Sequence, residues 1–466
     1  MPNAHDPWGH LAGANQGEFL VSTQEHLGQV GIATKSLSQG SAGIDKALRM
    51  RALGGSAVGS AVEWYDYFLY GTMAGIVFGP LFFPSDNPSV SLMLSFASFA
   101  LAFLVRPVGG VLFSHIGDRI GRKKTLVVTL SLMGFSTMLM GFLPDYATVG
   151  IWAPILLTLL RLIQGLALGG EWGGGLLLAV EYAPRDQRGF YGAVPQTGAL
   201  FGLALGSLAA SITSSVFSDA DFMSFGWRIP FLLSFILVLT GLWIRNRVDE
   251  TPSFKKVKSE HLAVKVPVVE TLKHHWRAVL ITIGAKFVET STFFIFATFS
   301  ISYAVGLGYA RSTVLNVLLL AAFLAVPVML FFGGLSDRIG RKKIFVGGTI
   351  AIAIYAVPYF WLMSQGSVLA LTVAMVIGFS IIWSSYGSVL GTLFAESFSA
   401  NVRYTGISLG YQIGAALVGG PAPLIATALL VAYNYIAVAG FVVFCAAVSL
   451  VAISFAQEMR GKDLDA

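Results

Sequence analysis

Cysteine is almost absent from these 466 residues: Cys445 stands alone, which excludes a disulfide within the chain and any thiolate cluster. Charge is scarce too. Only 12% of residues are Asp, Glu, Lys or Arg, against 55% hydrophobic, and the mean hydropathy is +0.73. A water-soluble protein of this length needs far more ionic surface, so most of the chain must face lipid. Histidine is missing where a buried metal would need it. The seven fall near the start (His5, His10, His26), near the middle (His261, His274, His275) and at the end of one apolar run (His115). No haem, His-ligated metal or other cofactor is expected inside the apolar segments. A secretory leader is missing as well: the first residues show no basic start, short apolar core or small-residue cleavage site.

What is present is a series of apolar runs of about 20 residues or more, the length that crosses a ~30 Å hydrocarbon core. Backbone groups cannot stay unpaired in lipid, so each run must be helical. Twelve spans are predicted, at about 53–80, 89–115, 125–143, 151–179, 190–216, 228–246, 277–304, 313–335, 344–363, 367–394, 407–431 and 434–456, with boundaries good to roughly three residues. The fold class is therefore an all-α membrane protein. Residues 1–47, rich in Gly, Ser, Gln and Ala, are expected to be a disordered cytoplasmic tail. The polar, basic stretch 247–276 is expected to link two six-helix halves, 48–246 and 277–457, with 458–466 a second tail.

Of the 30 Lys and Arg, three (Arg106, Arg161, Lys286) lie within spans. Two more, Arg228 and Arg311, border loops on one face of the bundle; the rest lie on the other face or in the termini. That asymmetry predicts both termini on the cytoplasmic side. The basic surplus is thus a topology signal, and a nucleic-acid partner is not expected.

Asp118-Arg119-Ile120-Gly121-Arg122-Lys123-Lys124 recurs letter for letter at Asp337-Arg338-Ile339-Gly340-Arg341-Lys342-Lys343, each copy after the second span of its half. Glu181 precedes Arg188, and Glu396 precedes Arg403, by the same seven residues. Such a repeat describes two halves with a site at their interface near the midplane. The glycine permits the tight turn, and the acids are natural partners for the loop arginines. Asp118, Arg119, Gly121, Arg122, Glu181, Asp337, Arg338, Gly340, Arg341, Glu396 and Arg403 are therefore expected to form gating latches. A purely topogenic role for the basic loops is the plainer alternative.

The spans also hold charges, each costing at least ~2.5–3.5 kcal/mol to insert and so calling for a partner or a function. Glu63 and Asp66 share one helix face near mid-membrane. Two carboxylates so close cannot both ionise cheaply, which suits proton coupling: Asp66 first, Glu63 next. The plainer reading is permanent neutralisation by arginines. Lys286 and Glu289 sit at equivalent depth in the second half, as a local ion pair or as a substrate cation with a carboxylate that holds or releases it. Arg161 could bind an anionic substrate or neutralise Asp66. Arg106 and Glu171 are expected to pair structurally. Mid-span Tyr65, Gln164, Trp172, Gln196, Trp383, Tyr386 and Gln412, with Trp64 and Tyr411, are candidate cavity residues, though packing explains any single one. No nucleophile–base set suggests an enzyme.

Several motifs resemble a known family. The repeated loop, with Gly117 before its first copy, resembles the loop motif of the major facilitator superfamily, and Arg161-Leu162-Ile163-Gln164-Gly165 its fourth-helix motif. Val62-Glu63-Trp64-Tyr65-Asp66-Tyr67-Phe68-Leu69-Tyr70-Gly71, Arg106-Pro107-Val108-Gly109-Gly110 and Gly169-Gly170-Glu171-Trp172-Gly173-Gly174 are similar to the metabolite:proton symporter family, and within it to the shikimate transporter group. The resemblance implies the major facilitator fold and import of a metabolite with a proton across a bacterial inner membrane; the internal cations point to a small organic acid, and a single chain is expected to carry it. Relatives carrying di- and tricarboxylates or betaines keep those substrates open as alternatives. The betaine carriers often end in a long coiled coil that these residues lack, which favours an organic anion.

Overall fold

The computed structural model describes residues 60–61, 64–120, 122–169, 176, 179–180, 183–184, 186–246, 267–399, 402–458 and 460; among these, the side chains of 114–124, 126, 237, 241, 243–246 and 267 are outside the description. Residues 1–47 and most of the 247–276 stretch therefore lie outside the described residues; the end of the latter is a helix, Pro267–His274.

Twelve helices follow the twelve predicted spans, and no strand occurs among the described residues. They are α1 (64–76, continued by Phe78–Phe82), α2 (Pro88–Ile120), α3 (Arg122–Met140), α4 (Trp152–Gly169), α5 (Arg188–Val216), α6 (Arg228–Asn246), α7 (Trp276–Gly306), α8 (Arg311–Ile339), α9 (Arg341–Met363), α10 (Val368–Glu396), α11 (Arg403–Ala432) and α12 (Tyr435–Ser454). Nine of the described helices are long and apolar enough to cross a membrane alone. The start of α6, Arg228–Thr240, and the short segment Asp219–Gly226 before it meet at a 46° bend and pass the same test only when taken together. The apolar part of α3, Val127–Met140, is shorter.

Packing repeats between the halves. α2 lies on α4 as α8 lies on α10, and α3 on α6 as α9 lies on α12. The broadest helix pair joins the halves: α5 against α8. Large side chains such as Leu104, Val108 and Ile354 remain exposed, as expected of a surface meant for lipid. Helices in lipid gain little by hiding apolar groups from one another, so they associate through close packing and hydrogen bonds. Glycine supplies that approach here. A Cβ at Gly165 would fall on the Ala102 carbonyl of α2, and one at Gly169 on the Arg106 carbonyl. Gly165→Ala should therefore overpack the α2–α4 contact and destabilise by about 1–3 kcal/mol. Gly347→Ala, where a Cβ meets nothing within 4 Å, should not. Thermal unfolding of the two purified variants checks this; equal melting temperatures would show that α2 and α4 are not so close.

Three central helices carry π-helical turns: Ile295–Phe299 in α7, Val376–Trp383 in α10 and Ala415–Gly419 in α11. Such widened turns cluster at functional sites because they re-aim side chains within an otherwise regular helix.

Candidate functional site

A small cavity of about 30 Å³ lies between the halves, room for a water or two. Its walls come from α1 (Trp64, Phe68), α5 (Gln196, Ala199), α7 (Lys286, Glu289, Thr290, Phe293, Phe294), α10 (Trp383) and α11 (Tyr411). The α7 residues recur every three to four positions, one helix face.

Lys286 and Glu289 form an ion pair on that face, with side chains 1% and 8% exposed. Glu289 Oε2 also accepts the Thr290 hydroxyl at 2.7 Å, and its backbone carbonyl accepts the Trp383 indole N–H at 2.9 Å. The Lys286 ammonium lies 3.7 Å from the Tyr411 ring centroid. A desolvated cation is drawn to a ring face, so the ammonium is held from two sides. Around it the wall is aromatic: Trp64 stacks on Phe68 at 5.1 Å, and Phe293 lies 4.9 Å from Trp383.

A second charged cluster lies inside the first half. Asp66 is fully buried, and among the described residues neither carboxylate oxygen has a hydrogen-bond partner; the nearby Thr137 hydroxyl bonds elsewhere, donating to the Met133 carbonyl at 3.0 Å and accepting from Gln164 at 2.9 Å. Arg161 donates to Gln164 and lies over the rings of Tyr67 and Tyr70 at 4.2 and 4.1 Å. Arg106 covers the Tyr67 ring at 4.5 Å and Phe103 at 4.4 Å. Among the described residues no cation pairs with Asp66. Its surroundings accommodate the protonated acid and offer little to the anion.

At the face carrying the repeated loops, Arg341 Nη2 reaches Asp337 at 2.9 Å and Glu396 at 3.3 Å. Asp337 also accepts the backbone N–H groups of Gly189 and Phe190 at 2.8 and 3.0 Å. These begin α5 in the other half, where free N–H groups and the helix dipole favour an anion. Gly340 has φ +107°, a conformation that suits glycine. Thr392 donates to the Arg188 carbonyl at 3.1 Å. On the opposite face, Ser211 bonds Asn316 at 2.6 Å and Arg311 pairs with Asp219 at 2.9 Å. The halves are thus bridged at both faces. Asp337→Ala should strip two charge-assisted bonds from α5 and leave Arg341 short of a partner. Transport should fall at least about tenfold, since hydrogen bonds to charged groups are worth ~1.5–3 kcal/mol. Hydrogen exchange at the Gly189 and Phe190 amides should speed up; unchanged protection there would show that the contact does not hold the halves together.

Residues 57–423 match the family model described as Major Facilitator Superfamily. The chain belongs to that superfamily. The facilitator is 40% identical over 383 residues to the shikimate transporter of Escherichia coli (strain K12), covering 82% of this chain and 87% of the relative. It is 39% identical over 425 residues to the inner membrane metabolite transport protein YhjE of the same organism, covering 89% and 96%. The proline/betaine transporter of that strain is 32% identical over 400 residues, covering 83% and 79%. Among solved structures, the D-xylose-proton symporter superposes with a TM-score of 0.69 at 18% identity, covering 89% of this chain and 99% of the other, a likeness of fold. The facilitator is accordingly a multi-pass membrane transporter near the shikimate transporter in sequence, and not an enzyme.

Of the residues singled out by sequence, the facilitator brings Lys286, Glu289, Gln196 and Trp383 to the cavity wall, with Trp64 and Tyr411. Others turn elsewhere. Tyr65 donates to the Pro230 carbonyl of α6 at 2.8 Å, because Trp64 and Phe68, one turn apart, take the cavity face. Tyr386 bonds Thr292 at 2.7 Å, and Gln412 donates to the Gly169 carbonyl at 3.3 Å. Arg161 and Gln164 bond one another rather than line the cavity, and Arg161 does not neutralise Asp66. Arg338 is exposed, while Arg403 donates to the Phe398 carbonyl at 3.1 Å. Glu63, Glu171, Trp172 and Glu181, with the side chains of Asp118, Arg119 and Arg122 and all of Gly121, lie outside the described residues, as does the expected Arg106–Glu171 pair. Phe68, Ala199, Thr290, Phe293 and Phe294 line the cavity without having been singled out. Helical spacing from Trp64 and Lys286 was the signal that could have found the four on α1 and α7.

Proposed function

We propose that this facilitator is a proton-driven symporter that imports a small organic acid, shikimate or a related carboxylate, across a bacterial inner membrane. The observation that carries this reading is the Lys286–Glu289 pair on the wall of a small, largely aromatic cavity between the halves. A substrate carboxylate exchanges with Glu289 at the Lys286 ammonium, and the rings cover the flat body of a cyclic acid. Asp66 carries the proton, with Glu289 and Glu63 as further carboxyls in the coupling. Arg161 is held against Gln164 and two tyrosines inside the first half, away from the substrate.

The two six-helix halves, 48–246 and 277–457, rock about this site, the 247–276 segment joins them, and the Asp337–Arg341–Glu396 latch closes the basic face. A cavity of about 30 Å³ is too small for any such acid, so loading requires one face to open. Both termini lie in the cytoplasm, as the Lys and Arg asymmetry favours, and one chain suffices for transport.

A zwitterionic osmolyte is the second reading, because an aromatic wall beside a carboxylate also suits a quaternary ammonium. Uptake into proteoliposomes, with and without an imposed pH gradient, separates the two. Shikimate, quinate, protocatechuate, α-ketoglutarate, citrate and betaine are the substrates to compare. Gradient-driven accumulation of a monocyclic acid supports the first reading; accumulation of betaine alone refutes it.

A further inference from the structure

Helix α11 touches both the cation of the cavity and the closure of the basic face. Tyr411 sets its ring 3.7 Å from the Lys286 ammonium. Gly414, one turn on, lies so close to α7 that a Cβ there would stand 2.7 Å from Lys286 Cβ. Gln412, the residue after Tyr411, is not among the cavity-lining residues and crosses to the other half, where its amide donates to the Gly169 carbonyl of α4 at 3.3 Å. Gln412 is 4% exposed, and among the described residues its Oε1 has no hydrogen-bond partner and its amide has that one contact.

Depth places the bond. At 1.5 Å per residue, Gln412 lies about 13 Å along α11 from the basic face and Lys286 about 15 Å along α7, whereas Phe293 lies about 25 Å in. The Gln412–Gly169 bond is thus at the floor of the cavity, on its basic side. The π-helical turn Ala415–Gly419 follows at once; a widened turn lets the preceding segment shift without breaking the whole helix.

Resting on the reading that Lys286 receives the substrate carboxylate, we propose that Tyr411 and Gln412 are positioning residues that tie occupancy of Lys286 to opening of the basic face. The Tyr411 ring holds the ammonium of the empty carrier, which pins this stretch of α11 against α7. Gln412, next to it, then keeps α11 bonded to α4. A carboxylate that draws the ammonium off the ring frees the segment, the Gln412–Gly169 bond parts, and the floor opens towards the basic face.

The test needs a reporter in the cavity. Ala199 lines it on α5, and the lone Cys445 can be removed, so Ala199→Cys in a Cys445→Ala background provides one thiol for a charged thiosulfonate reagent added from either face. With no substrate present, Gln412→Met, of similar length but without the donor, should speed labelling from the basic face about fivefold, the effect of one lost hydrogen bond. Labelling from the opposite face should not rise. Unchanged labelling, or an equal rise from both faces, overturns the gate. Tyr411→Leu should likewise speed basic-face labelling and also lower the uptake KM for shikimate about three- to tenfold, because the carboxylate no longer has to draw the ammonium off a ring; Tyr411→Phe should restore both. Tyr411→Leu with parental labelling overturns the link between Lys286 and α11. The labelling arms use no substrate, so a wrong assignment of Lys286 shows only as an unchanged KM.

Discussion

Asp66→Asn should reduce the proton-driven accumulation of substrate to no accumulation at all, while exchange of internal for external substrate continues. A gradient of two pH units is worth about 2.7 kcal/mol per proton, which supports accumulation of about 100-fold by a tightly coupled one-proton symporter. Asn keeps the size of the side chain and the neutral state that the surroundings of Asp66 accommodate, but it cannot release a proton. The fully buried carboxyl has no hydrogen bond and no cation paired with it among the described residues, so its replacement should leave the fold intact. Radiolabelled uptake and exchange in proteoliposomes decide the matter: parental uphill uptake by the variant would remove Asp66 from the coupling.

Lys286→Met should lower substrate affinity at least about 100-fold and also destabilise the carrier. Two effects add. The substrate carboxylate loses its cation, and Glu289 is left as an uncompensated buried charge, a situation that costs about 3–5 kcal/mol when one partner of a buried pair is removed. The double variant Lys286→Met/Glu289→Gln separates them. It removes both charges, so stability should recover to near the parent while binding stays lost. Tryptophan quenching is a suitable binding assay, because Trp64 and Trp383 line the cavity; thermal unfolding reads stability. Parental affinity in the double variant would show that the pair only holds α7 in shape.

Much of the architecture was legible because lipid leaves few choices. Twelve apolar runs had to be twelve helices, and the duplicate Asp-Arg-Ile-Gly-Arg-Lys-Lys loop marked two halves before any contact was known. The bridge from Asp337 to the start of α5 was not legible: the loop copy named its partners within the half, Arg341 and Glu396, but a bond to two backbone N–H groups leaves no mark on side-chain identity. The site was half legible. Lys286 and Glu289 stood out as charges in an apolar helix, and three-residue spacing placed them on one face. Asp66 stood out in the same way, yet spacing could not say that its face of α1 turns towards Thr137 of α3 instead of the cavity. Charge alone tempted Arg161 towards Asp66; in the fold, ring faces and Gln164 hold it. Tyr386 and Gln412, each expected in the cavity, face a neighbouring helix instead: Tyr386 bonds Thr292 of α7, and Gln412, one position round the helix from the cavity-lining Tyr411, bonds Gly169 of α4.

The central claim is that substrate entry and proton entry are one event, carried by buried charges in and beside a cavity between the two halves. Proteoliposomes holding a pH-sensitive dye, given shikimate at a clamped membrane potential, read it most directly. The interior should acidify in step with substrate uptake, and Asp66→Asn should abolish the acidification while exchange persists. Uphill uptake with no acidification, or acidification unchanged in Asp66→Asn, would contradict it.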